Sequence, residues 1–274
     1  MAAVDLRPPA PSGFLWLRVH TIVRRLTYVV TRSPHRWFEV IVFPCIDVLL
    51  WGALGAYAQE GGAVGSGAPY LLAGIMLNHF LFQTEVSLAT GFLEETWSRN
   101  VLNVMTTSVR ELEYIVGIVL YGLGKLVVAI VTVNLCAWAM FDFTLLELGW
   151  GVVPLAVCLL IAGWAMGLFM IGLVLRFGHS AEILTWAMPF LVLALSGVFN
   201  PIRAIPGALQ PLAQALPTTY AFDAGRSLLD GDGMPWADLA RAGFGSLVLL
   251  VLAAWFARRM LATFRQRGYV TRYS

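Results

Sequence analysis

Three ionisable side chains fall inside strongly apolar stretches of the sequence: Asp47, Glu85 and Lys125. A charge at the centre of a hydrocarbon layer costs at least about 2.5–3.5 kcal/mol, so each needs a partner or a task. Counted from one side at about 1.5 Å per helical residue, all three lie roughly 12–16 Å deep. Lys125 is therefore expected to pair with Glu85 or Asp47 within one bundle. Two readings of that pair stand: a buried tether between helices, or a pair that serves function. One acid–base pair does not make a proton relay. Asn78 and His79 lie further along the same stretch as Glu85, and His79 is read as a hydrogen-bonded core residue, since nothing near it has metal-ligand spacing. Glu94 and Glu95 sit at the end of that stretch without a His or metal partner, so no catalytic residue and no metal site is assigned. Cys45, Cys136 and Cys158 are an odd number inside apolar runs and read as small core residues, not as disulfides.

The elements that carry these residues follow from composition. Of the 274 residues 59% are hydrophobic and 12% charged, whereas soluble domains carry about 25% charged residues. The chain is an integral membrane protein, all-α, expected to form a single transmembrane domain over 1–274. A span needs about 20 apolar residues, and six runs qualify: 37–58, 69–92, 114–141, 150–175, 183–199 and 237–257. No cleavable signal peptide is seen, because Arg18, His20, Arg24 and Arg25 interrupt the first apolar stretch. Residues 12–32 place Leu15, Val19, Ile22, Leu26 and Val29 on one stripe, flanked by Arg18, Arg25 and Arg32. That pattern predicts an interfacial amphipathic helix with its apolar face in the acyl boundary.

With the N-terminus cytoplasmic, fourteen of the eighteen basic residues fall on the cytoplasmic side, as basic flanks of short loops require. Six spans then return the C-terminus to the same side. The 91–113 connection carries Trp97, Val101, Leu102 and Met105, and Glu95 and Arg99 stand four apart in the favourable order for a helix. It reads either as a helix resting on the membrane face or as a knob that docks into a soluble partner.

Residues 196–229 are apolar yet carry Pro201, Pro206, Pro211 and Pro217. Proline removes an amide donor and clashes with the preceding turn, so one long helix is excluded and two short helices hinged near Pro217 are expected. Broken backbone at membrane depth survives only where protein or water covers it. The 200–230 segment is therefore expected to be a re-entrant helical hairpin.

Two stretches resemble the membrane subunit of type-2 ABC exporters, the ABC-2 permeases of polysaccharide, nodulation-factor and drug export. One is Glu94 through Val109, similar to an acidic coupling helix followed by a Thr-Pro-Val-like step, here Thr107-Ser108-Val109. The other is Ser196-Gly197 with Pro201, Ile205-Pro206, Leu216-Pro217-Thr218-Thr219-Tyr220 and Arg226. The resemblance implies a coupling helix at 94–106 between the second and third spans, with Glu94, Glu95, Trp97 and Arg99 touching the ATPase partner. It also implies an exit hairpin built on Pro201, Pro206, Pro217, Tyr220 and Arg226. The chain has no G-x-x-x-x-G-K-[ST] loop, so it is expected to hold no cofactor and to be no enzyme, with ATP and magnesium on two separate ATPase subunits. A second permease copy and membrane lipids are the other implied partners, and no nucleic acid is. The implied function is outward, ATP-driven movement of an amphiphile: a lipid-linked glycan, a lipid or a hydrophobic drug. The implied location is the cytoplasmic membrane of a prokaryote, both termini inside. A secondary transporter is the first rival, but it usually shows inverted repeats and none is visible. An intramembrane lipid-processing enzyme is the second, and it would need clustered acids or His at an interface.

Overall fold

The computed structural model describes residues 13–60, 67–97 and 107–267, which form a helical bundle without strands among the described residues. The chain opens with α1 (Trp16–Thr31) and α2 (Pro34–Trp37). Pro34 occupies the first turn of α2, where a missing amide costs nothing. A π-helical turn (Phe38–Val42) feeds α3 (Phe43–Glu60). Then come α4 (Gly67–Trp97), α5 (Glu111–Phe141), a 3₁₀ turn (Leu145–Gly151) and α6 (Val152–Phe177). After α7 (Glu182–Leu195) the chain breaks up into a 3₁₀ turn (Ile202–Ala204), α8 (Gln210–Ala215) and α9 (Pro217–Asp230), and it closes with α10 (Trp236–Arg267).

Among the described residues, four helical stretches are long and apolar enough to cross a membrane: Phe38–Glu60, Glu111–Phe141, Leu145–Phe177 and Trp236–Thr263. The runs at 69–92 and 183–199 do not qualify in the same way. The helix α4 is long, but Asn78, His79, Gln83 and Glu85 dilute its apolar character. The helix α7 has 14 residues, about 21 Å at 1.5 Å per residue, and stops at Leu195 because Gly197 takes a positive φ of 67°. The fifth expected run is thus shorter as a helix than 183–199.

The core sits around α4 and α6. Leu72, Met76, Leu77 and Leu81 of α4 pack with Leu155 and Leu159 of α6, and Phe222 of α9 closes the cluster. The most apolar window of the α6 stretch is 61% buried, against 22–33% for the other three. Small residues permit the close approach: a Cβ at Gly163 would lie 2.7 Å from the Leu81 carbonyl oxygen, and one at Gly167 would lie 2.8 Å from Leu88.

Neighbouring residues fix the direction of each helix. Gly55 of α3 meets Ala68 of α4, and Gly91 and Gly122 pair α4 with α5 in the opposite sense. Gly163 and Gly167 run α6 along α4, and α10 follows α6 from Leu239 beside Cys158 to Phe256 beside Gly172. The helix α7 begins at Glu182 beside Trp97, and the turn after it brings Val198 against Gly74. So α3, α5 and α7 point one way, and α4, α6 and α10 the other. One end of the bundle carries α1 and its arginines; the opposite end carries the proline-broken segment.

One expectation about α1 is corrected here. Val19, Leu26 and Val30 are buried against the bundle, Leu26 and Val30 in a cluster with Leu88, Ile118 and Tyr121. The middle of the apolar stripe, Val19 to Leu26, is covered by protein and not by acyl chains, while Leu15, Trp16, Leu17 and Tyr28 point outward. Helical periodicity identifies an apolar face but not what covers it.

Candidate functional site

At the basic end, three arginines staple α1 and α2 to the ends of α4 and α5. Glu113, on the first turn of α5, accepts from the Leu15 amide at 2.9 Å, the Arg110 amide at 2.9 Å and Arg18 Nη1 at 3.2 Å. Arg25 grips Glu95 with both guanidinium arms, at 2.6 and 2.9 Å, the fork geometry that suits a carboxylate. Arg36 pairs with Glu94. The Trp97 indole donates to Glu182 Oε2 at 3.2 Å, joining the end of α4 to the start of α7. Glu94, Glu95 and Trp97 thus form the last turn of α4, held by this chain's own side chains. Arg99, and the expected coupling helix beyond Trp97 as far as residue 106, lie outside the described residues.

The intramembrane charges are arranged differently from the sequence expectation. Lys125 Nζ meets Glu39 Oε1 at 3.0 Å, not Glu85 or Asp47. Glu39 lies in the π-helical turn before α3, only two residues into the 37–58 run, so a count that looks for charges at Lys125's depth passes over it. Glu85 cannot serve, because Ser87 faces Gly122 of α5 and two residues at about 100° each place Glu85 on the far side of α4. Asp47 lies 3.5 Å from His79 Nε2, its side chain 40% exposed.

Glu85 is fully buried, and neither carboxylate oxygen has a hydrogen-bond partner. The same holds for polar atoms of Asn78, His79, Gln83 and Ser87 on α4 and for Thr185 on α7. Each unmade bond costs about 1–3 kcal/mol, so the middle of α4 concentrates polar groups that this packing leaves unmet.

At the opposite end the broken segment folds as two short helices meeting at Leu216-Pro217, with Pro217 opening α9. Pro217 packs against Gly245, nine residues into α10 and so about 14 Å from its start. From there α9 climbs until Leu228 reaches Gly151, beside the start of α6. Ser196 and Thr218 hydroxyls meet at 2.6 Å in the interior. Arg226 donates to the Gly197 carbonyl and pairs with Asp223, clipping the turn after α7 onto α9. The Tyr220 hydroxyl donates to the Gln214 carbonyl at 3.0 Å, and the Arg241 guanidinium covers its ring at 5.6 Å. Pro201 leads into the 3₁₀ turn, and the Pro206 carbonyl accepts from Leu209 at 2.8 Å in the next turn.

Beside the break lies a cleft of about 440 Å³ between α6, α7 and α10. Met166, Phe169, Met188, Trp255 and Phe256 are among its walls, Leu216 and Pro217 close one side, and Thr218 is the one polar side chain in the lining. Sequence reasoning missed this cleft, and also missed Glu39, Glu113 and the acid partners of Arg18 and Arg25. The seven-residue spacing of Arg18 and Arg25 could have signalled a shared face toward acids; nothing local signals Glu39. No group of three potential metal ligands occurs among the described residues.

No curated protein matches the chain. A family model described as ABC-2 type transporter matches residues 18–229, well over half of the chain. The match runs from the docked helix α1 through α9, and the chain therefore belongs to the ABC-2 type transporter family, as a multi-pass membrane component of an ABC transporter.

Proposed function

We propose that this chain is the transmembrane subunit of an ATP-driven exporter that moves an amphiphile outward across the cytoplasmic membrane of a prokaryote. Six segments would cross: α3, α4, α5, α6, the α7 segment with the turn after it, and α10. Their alternating directions support that count, and the basic flanks support cytoplasmic termini. The 200–230 segment would re-enter from outside, with Pro217 at its deepest point. Two copies would pair, and two ATPase subunits would bind on the basic end near 94–106. Glu94, Glu95 and the Trp97–Glu182 bond would hold the end of α4 rigid there, leaving Arg99 and the exposed face of Trp97 to meet the partner.

The observation that carries the amphiphile is an uncharged, apolar cleft at α6, α7 and α10 in a bundle whose α4 holds unmet polar groups. Tail and head of one molecule have different solvents to replace, and these two surfaces supply them. Gentle detergent extraction of the full chain should bring down a Walker-motif ATPase. Its hydrolysis in proteoliposomes should rise with a long-chain amphiphile and not with the free headgroup. Full transport by the chain without any ATPase would overturn this reading and favour a secondary transporter.

A further inference from the structure

Two of the three cysteines, 91 residues apart in sequence, meet in the structure. Cys45 on α3 and Cys136 on α5 bring their Sγ atoms to 2.7 Å, both as free thiols and both partly exposed at the bundle surface. Cys158 stands elsewhere, buried on α6 and directed at the Leu239 carbonyl at 3.7 Å. Cys45 is seven residues from Phe38 and fifteen from Glu60 in a continuous membrane-length helix, so about 10 Å and 22 Å from its two ends. At that depth of a membrane-spanning helix the surface faces lipid, where a lipid-soluble oxidant is concentrated.

We infer that Cys45 and Cys136 form an oxidisable dithiol, converted to an intramolecular disulfide by a membrane-dissolved quinone. The step balances: two S–H bonds break, one S–S bond forms, and the quinone takes up two electrons and two protons to become the quinol. The product fastens α3 to α5 at a second point. The first is the Glu39–Lys125 ion pair on the same seam, six residues before Cys45 in the π-helical turn that feeds α3 and eleven before Cys136 on α5. Two fastenings on one seam stop the helices from sliding or pivoting against each other, so the oxidised subunit holds α3 and α5 as one body.

The test uses the full chain in proteoliposomes, treated with decylubiquinone, unfolded in detergent and alkylated with a maleimide polymer that adds visible mass per thiol. Untreated chain should take three adducts and treated chain one, with dithiothreitol restoring three. Cys45→Ser should take two before and after treatment, and Cys158→Ser two before and none after. Three adducts on the treated wild-type chain would overturn the proposal. So would loss of adducts that appears only as a cross-linked dimer on a non-reducing gel, or loss that persists in Cys45→Ser.

Discussion

Replacing Glu113 by Ala tests how the first helix is attached. The Glu113 side chain is fully covered, and two of its three donors, the Leu15 amide and Arg18, belong to the start of α1. Hydrogen bonds to a charged group contribute about 1.5–3 kcal/mol each, so three of them sum to about 4.5–9 kcal/mol. The measured loss must be smaller. Glu113 sits at the rim of the bundle, and α1 can peel back so that water satisfies the stranded groups, which places the effect between an exposed pair and a deeply buried one. About 2 kcal/mol is the expected cost, which is about a 30-fold rise in the opening constant of α1. The burial of Val19, Leu26 and Val30 still holds the rest of the helix. Hydrogen exchange of the detergent-solubilised chain reads this directly: amides of Leu15 to Ile22 should exchange about 30-fold faster, while those of α6 should not change. Glu113→Gln keeps one acceptor oxygen and should fall between. Exchange across α1 within threefold of wild type in Glu113→Ala would refute the attachment.

Lys125→Met strands the Glu39 carboxylate and should cost about 2–4 kcal/mol, somewhat below a fully buried pair because Glu39 keeps partial exposure; adding Glu39→Gln should recover more than half of it, read as midpoint shifts in detergent melts. Glu85→Gln in the Lys125→Met background should recover nothing, and recovery there would reinstate the pairing expected from depth alone. Gly197→Ala should cost about 1–2 kcal/mol, since a left-handed backbone puts a Cβ against its own chain. Gly207→Ala, with open space at the Cβ, should melt with the wild type.

The parts of this fold that could be read from sequence are those where one local rule decides the outcome. Apolar length located the helices that became α3, α5, α6 and α10, and proline chemistry located the break at Leu216-Pro217, because a missing amide acts on its own turn. What could not be read depended on facing. Lys125 and Glu85 stand at similar levels, since Ser87 faces Gly122, but Asp47 meets His79, six residues away along α4; depth along an axis also carries no azimuth, and the same Ser87–Gly122 contact was needed to show which way Glu85 turns. The α1 stripe shows the same limit: its period was right, but Val19 and Leu26 turn toward the bundle and not toward acyl chains. Arg18 and Arg25 looked like headgroup anchors because their acids, Glu113 and Glu95, lie 95 and 70 residues away.

The basic end also constrains how force could enter the bundle. A push delivered just after Trp97 reaches a turn of α4 that is tied on several sides: Glu94 to Arg36 before α3, Glu95 to Arg25 on α1, Trp97 to Glu182 on α7. Charge-assisted bonds of this kind are short and directional, so displacement of that turn carries α1, the start of α3 and the start of α7 with it. Along the same α4, polar atoms of Asn78, Gln83, Glu85 and Ser87 sit without hydrogen-bond partners in the present packing. A motion that shifts α4 relative to α6 would open the tight contacts at Gly163 and Gly167 and let water or a polar headgroup reach them. The unmet groups then favour the opened arrangement, and the close glycine packing favours the closed one. Two opposing preferences on one helix, with the handle at its end, are what a bundle needs in order to alternate between two states instead of settling in one.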